Sequence, residues 1–282
     1  MVLKVSKRGQ VAPFIVMDVM HAAHDLEIEG KSIMHMEIGQ PGTGAPKGVV
    51  EAAKKALDTE QLGYTESFGI APLRSAIRDH YVRKYGVYVP LERIAVTTGS
   101  SGAFILSFIA AFDEGDKVAM ASPGYPAYRN ILTALGIEVV EIPVGPNTNF
   151  QPSADLLAEC GEDLDGLIVA SPSNPAGTMI DPAGLKELYD YCAEHEIRLI
   201  SDEIYHGITY VDPAETMLRF GDDAVIINSF SKYFSMTGWR LGWMVLPHDL
   251  INACERLAPN LFISAPAVSQ HAAVAVFDCE EE

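Results

Sequence analysis

The sequence predicts an α/β domain built on one large, mostly parallel sheet with helices over both faces. Short apolar runs rich in β-branched residues alternate with longer stretches of helical periodicity. Several of the strand runs are almost wholly apolar, as strands covered on both faces must be. No repeat, low-complexity segment or long linker interrupts the 282 residues, and 48% hydrophobic content is enough for a substantial core.

Residues 1–45 read as an N-terminal arm with a small-domain segment, and 46–282 as the large domain. Helical patterns at Lys47 to Asp58 and Pro72 to Lys84 precede the sheet. Seven strands are then expected: Ile94 to Thr98, Lys117 to Ser122, Val139 to Val144, Gly166 to Ala170, Arg198 to Asp202, Ala224 to Ser229 and Leu241 to Leu246. The helical stretches between and after them are Ser101 to Phe112, Ala127 to Leu135, Pro182 to Glu194 and Leu250 to Leu257, which would cover the sheet.

Composition narrows the partners. With 20 basic and 38 acidic residues the formal charge is -18, which argues against nucleic acid and anionic membranes. Local arginines, helix termini and backbone amides still permit a small anionic ligand. The cysteines at 160, 192, 254 and 279 form no CxxC pair, have no histidine at metal-ligand spacing, and read as buried thiols in a reducing compartment. The N-terminus lacks an apolar segment followed by a cleavage site, and no run approaches a membrane span, so a cytoplasmic location is expected.

The densest chemistry lies in Ser229 to Gly242, SFSKYFSMTGWRLG. Lys232 sits among hydroxyls, with Arg240 eight residues on. A lysine held in a crowded, partly apolar turn beside a cation has a lowered pKa and can act as a nucleophile. Arg240 can also clamp a phosphate, with Ser229 donating its hydroxyl to the same group. A carbonyl-binding lysine beside a phosphate anchor points to pyridoxal 5′-phosphate, which pairs an aldehyde with a phosphate handle. Taken alone, SxSK is equally a strand and turn with a surface lysine.

Other chemical residues follow strand patterns, where ligands of open α/β sheets bind. Ser100 and Ser101 lie in TTGSSG, where small residues bring helix amides toward an anion, although a capped turn explains the motif as well. Tyr125 lies in the proline-punctuated turn SPGYPAY, while Tyr128 reads as structural. Asn174, between Ser173 and Pro175, has its amide presented at a fixed angle. Asp202 closes an apolar strand and needs a cationic or donor partner, an ion pair being the plainer alternative.

Read together, Asn174 in NPxG, Asp202 in DExY and the run from Ser229 through Lys232 and Arg240 resemble the class I and II aminotransferases, fold type I of the pyridoxal phosphate enzymes. The resemblance implies phosphate contacts from Ser100, Ser101, Ser229 and Arg240, ring stacking on Tyr125 and a Schiff base at Lys232. It further implies a hydrogen bond from Asn174 to the phenolic oxygen, with Tyr205 near the same atom, and Asp202 on the ring nitrogen. Gly39 resembles the glycine beside the substrate, and Tyr64 the tyrosine that reaches the phosphate of a neighbouring subunit, implying a homodimer with shared sites. Gly42 departs from the acidic or amide residue common after the GxP proline. The implied reaction is exchange of an amino group between an amino acid and a 2-oxo acid, with Lys232, Asp202 and Tyr205 catalytic. A β-lyase or decarboxylase of the same fold, and a truncated non-catalytic protein, stay open. Family members continue past the point where this sequence stops, through a small domain carrying an arginine for the substrate carboxylate. The chain alone is therefore expected to bind the cofactor poorly and to turn over slowly.

Overall fold

In the computed structural model, which describes residues 3–279 and 282, the alternating patterns become nine α-helices and seven strands among the described residues. Helices α1 (Ile15–Ile28), α2 (Lys47–Thr59) and α3 (Ala71–Tyr85) come first. Strand β1 (Ile94–Thr97) enters α4 (Gly99–Ala111), and β2 (Lys117–Ser122) enters α5 (Pro126–Leu135). There follow β3 (Glu138–Pro143), α6 (Ala154–Cys160), β4 (Gly166–Ala170), α7 (Pro182–Glu194) and β5 (Arg198–Asp202). Strands β6 (Val225–Ser229) and β7 (Gly242–Val245) then lead to α8 (His248–Leu261) and α9 (Ala267–Ala273).

Local chemistry sets the helix boundaries. Pro182 opens α7 behind Asp181, whose carboxylate accepts from the Gly184 amide at 2.8 Å. Helices α3 and α5 each carry a proline in the first turn and end at a left-handed glycine, Gly86 (φ 68°) and Gly136 (φ 85°). The strands differ from the expected ranges only at their ends, by a residue or so.

One seven-stranded sheet results, in the order β1-β7-β6-β5-β4-β2-β3. All neighbouring pairs are parallel except those of β7, which runs antiparallel to both β6 and β1. Gly242 is therefore opposite Ser229 on one side and Thr97 on the other. The carboxyl ends of six strands and the entry to β7 consequently share one edge of the sheet.

Alternation along the strands feeds two cores. Leu167, Ile226 and Trp243 join Leu73 and Ile77 of α3 on one face. Their neighbours Ile168, Ile227 and Met244 join Phe104 and Phe108 of α4 on the other. Cys192 and Cys254 are buried, whereas Cys160 and Cys279, also expected inside, are half-buried near the ends of short helices. No helix among the described residues is long and apolar enough to cross a membrane.

Candidate active site

Residues that follow the strands converge at the shared edge, around a cavity of about 490 Å³. Ser100 and Ser101 come from the start of α4, Tyr125 from the turn after β2, and Asn174 from the loop after β4. Asp202 ends β5, Tyr205 follows it, and Lys232 follows β6. Arg240 arrives just before β7, because that strand runs the opposite way. Positions scattered over 140 residues of sequence thus line one space.

Lys232 Nζ donates to the Gly39 carbonyl at 2.6 Å. Burial, and then Arg240, lower the lysine's pKa, while Asp202 acts against them. No ion pair holds Lys232 or Arg240 among the described residues. Asn174 Nδ2 donates to the Tyr205 hydroxyl at 3.1 Å, so these two side chains arrive as one unit.

Asp202 is buried at the floor, and burial lifts its carboxyl from 3.8 to about 6. Two donors oppose that lift: the Tyr128 hydroxyl, in a short hydrogen bond, and the Ile204 amide at 3.1 Å. Among the described residues no cation pairs directly with it. A protonated ring nitrogen would supply the missing partner.

The anion end is a cradle that side chains would fill. Gly99 has φ 70°, and a Cβ there would lie 2.6 Å from Arg240 Nη2. At Gly242 a Cβ would come within 2.9 Å of the Ser100 amide nitrogen. Glycine at both places lets the guanidinium and the α4 N-terminus approach each other. Arg240 itself holds φ 50°, unusual for a side-chain-bearing residue, and donates to the Thr237 carbonyl at 3.1 Å. A carboxylate for a ring nitrogen, an amine for an aldehyde and a cation at a helix start for a phosphate together fit pyridoxal 5′-phosphate.

Not every expected residue lines the cavity. Ser229 is 1% exposed, its hydroxyl within reach of the Leu241 carbonyl (3.1 Å) and Ser231 Oγ (2.9 Å), and of these two serines it is Ser231 that reaches the cavity wall. Gly39 is on the wall, while Tyr64 is 86% exposed and outside it. Sequence reasoning gave Tyr128 a purely structural part, yet its hydroxyl holds Asp202 from 74 positions away. Phe14, Val16 and Met17, from the segment that opens α1, also face the cavity, as does Glu37. Their only sequence signal was closeness to Gly39 or to an apolar cluster.

The family described as aminotransferase class I and II matches residues 31–282. A valine–pyruvate aminotransferase of Mycobacterium tuberculosis is 50% identical over 98% of this chain and 72% of its own length. The crystal structure of an aminotransferase from the same organism superposes with a TM-score of 0.95 at 49% identity, over 98% of this chain and 72% of that one. Aspartate aminotransferase from Thermus thermophilus, solved with maleate, gives 0.94 at 29% identity, over 98% and 74%.

Proposed function

This chain belongs to the class I and II aminotransferase family, and on that premise we propose that it moves an amino group from an amino acid to a 2-oxo acid, using pyridoxal 5′-phosphate attached at Lys232. The observation that carries the reading is the meeting of Lys232, Asp202, the Asn174–Tyr205 pair and Arg240 around one cavity. When bound, the cofactor supplies an aldehyde that condenses with amines and a ring that withdraws electrons from the bond being broken.

The residues divide the remaining work. A lowered pKa lets the Lys232 amine be neutral more of the time, so it can take a proton from the substrate α-carbon and return it nearby. Asp202, steadied by Tyr128, would keep the ring nitrogen protonated. Asn174 and Tyr205 would share the phenolic oxygen, with burial raising the Tyr205 pKa so that its hydroxyl stays a donor. Arg240, Ser100 and Ser101 would hold the phosphate end, Ser229 would act on it only through its bond to Ser231, Tyr125 would stack on the ring, and Gly39 would flank the substrate.

Tyr64, extended into solvent, would reach the phosphate site of a second copy, making the working unit a homodimer. Among the relatives, the 50% identical protein is named for valine and pyruvate, and several near 30% for aspartate. The family thus spans apolar and acidic donors.

Borohydride reduction of the protein mixed with pyridoxal 5′-phosphate, followed by peptide mass mapping, tests the assignment. The label is expected on the Lys232 peptide and is lost in Lys232→Ala. A label on a different side chain, or none on folded protein, overturns it.

A further inference from the structure

Behind the cavity, the turn after β5 and the loop after β4 are fastened together a second time. Tyr205 lines the site and accepts from Asn174 Nδ2 at 3.1 Å. Its neighbour His206 is buried away from the cavity, with Nε2 3.0 Å from the Ser171 carbonyl and Nδ1 2.7 Å from the hydroxyl of Tyr85, the last residue of α3. A carbonyl only accepts, so Nε2 carries a proton. Burial lowers the ring's pKa to about 3, which leaves it neutral and makes Nδ1 the acceptor for Tyr85. Glu203 Oε2 lies 3.6 Å from the same nitrogen, beyond a hydrogen bond, and burial lifts that carboxyl to about 8. One orientation of the imidazole therefore satisfies both of its hydrogen-bond partners.

The loop that His206 grips is closed on itself. Ser171 Oγ accepts from the Ile180 amide at 3.0 Å, the Ser173 amide donates to the Thr178 carbonyl at 3.0 Å, and the Gly177 amide to the Ser173 carbonyl at 2.9 Å. Gln151 Nε2 holds both of its ends, at the Ala170 (3.3 Å) and Thr178 (2.7 Å) carbonyls, while His206 holds Ser171 toward Tyr205. A shift at Ser171 would thus carry Asn174 with it. The turn has little room to retreat. Gly207 has φ 95°, and a Cβ there would lie 2.6 Å from the ring of Tyr233, the residue after Lys232.

We propose that His206 is a positioning residue: by holding the Ser171 carbonyl it sets the separation of Asn174 and Tyr205, and with it the grip of that pair on a phenolic oxygen in the cavity. The proposal rests on the aminotransferase reading for the presence of that oxygen. It adds a residue that touches neither cofactor nor substrate.

Calorimetric titration of the cofactor-free chain with pyridoxamine 5′-phosphate, and with its 3-deoxy analogue that lacks the phenolic oxygen, reads this grip without catalysis. The unmodified chain is expected to prefer the former by about tenfold or more, the scale of hydrogen bonds to one buried oxygen. His206→Phe keeps a ring in place but removes both hydrogen bonds, and should shrink the preference at least about threefold while leaving the affinity for the 3-deoxy analogue nearly unchanged. His206→Gln, whose amide can still donate to the Ser171 carbonyl, should retain most of the preference. Tyr85→Phe, which leaves the imidazole but not the hydroxyl that orients it, should shrink it by a smaller factor, and carries the test if His206→Phe does not fold. No preference in the unmodified chain, a preference unmoved by whichever of the two phenylalanine variants folds, equal losses for both ligands, or a glutamine variant no better than His206→Phe would overturn the proposal. Neither ligand carries an aldehyde, so borohydride trapping at Lys232 tests the aminotransferase reading separately: trapping with an unmoved preference sinks the positioning role alone.

Discussion

Asp202 is only 4% exposed, and its carboxyl is raised from 3.8 to about 6 by burial. A raised carboxyl contributes stability that is present below the unfolded value and is lost as pH climbs through the folded one, here from about 3.8 to about 6. Near neutral pH the cofactor-free protein therefore carries a cost on the order of 3 kcal/mol at this residue. Asp202→Asn should raise the urea midpoint of the cofactor-free chain at neutral pH, while weakening its hold on pyridoxal 5′-phosphate; a lowered midpoint would contradict this. Tyr128→Phe removes a donor from the same buried carboxylate and should destabilise by roughly 1–3 kcal/mol in denaturant titration. At this scale the sequence was legible where short motifs concentrate chemistry, as around Asn174, Asp202 and Lys232. It marked Tyr128 as structural and left out its bond to Asp202, because a hydrogen bond spanning 74 positions leaves no local pattern.

The turn from β1 into α4 shows how an element boundary can be functional. Gly99→Ala would place a left-handed alanine against the Arg240 guanidinium, adding about 1–2 kcal/mol of backbone strain and pushing the cation off the helix start. Both a lower unfolding midpoint and weaker pyridoxal 5′-phosphate binding in a fluorescence titration are expected. Helix α1 is tied down differently. His35 bridges Glu37 (2.7 Å) and Glu27 of α1 (2.9 Å), and these two bonds raise its pKa from 6.5 to about 9, while His24 approaches Glu27 at 3.7 Å. The clasp is complete below about 6.5 and loosens as pH rises through about 9. Limited proteolysis of the arm should accelerate across that window, and His35→Gln should abolish the pH step. Helix α1 escaped sequence analysis for a physical reason: it buries only Ala23 and leaves Ile15, Met17, Val19 and Ile28 exposed, so it has no core-facing stripe to read. Helices α6 and α9, at seven residues each, are too short for periodicity to register. Strands β4 and β5 were readable to the residue, since an apolar run flanked by polar or turn residues marks both ends.

Across the whole molecule, the sheet divides the interior and also joins its halves. Ile226 and Ile227 are neighbours on β6 yet belong to opposite cores, both fully buried. Replacing either with alanine should cost about 2–5 kcal/mol and lower one shared unfolding transition. Two separate transitions in calorimetry would show that the faces melt independently. The α/β class and the strand inventory followed from periodicity, but the strand order did not, because hydrogen-bond partners are chosen by three-dimensional closure. That order has a further effect during biosynthesis. Among the described residues β1 has one strand neighbour, β7, which is seventh in sequence yet second in the sheet, and outside that ladder the Val96 amide donates to the Phe68 carbonyl at 3.0 Å. On the ribosome, the segment 94–97 must wait without a strand beside it, held only by the Val96–Phe68 bond, until the polypeptide through Val245 has emerged, an interval in which an open edge invites chaperones or clumping.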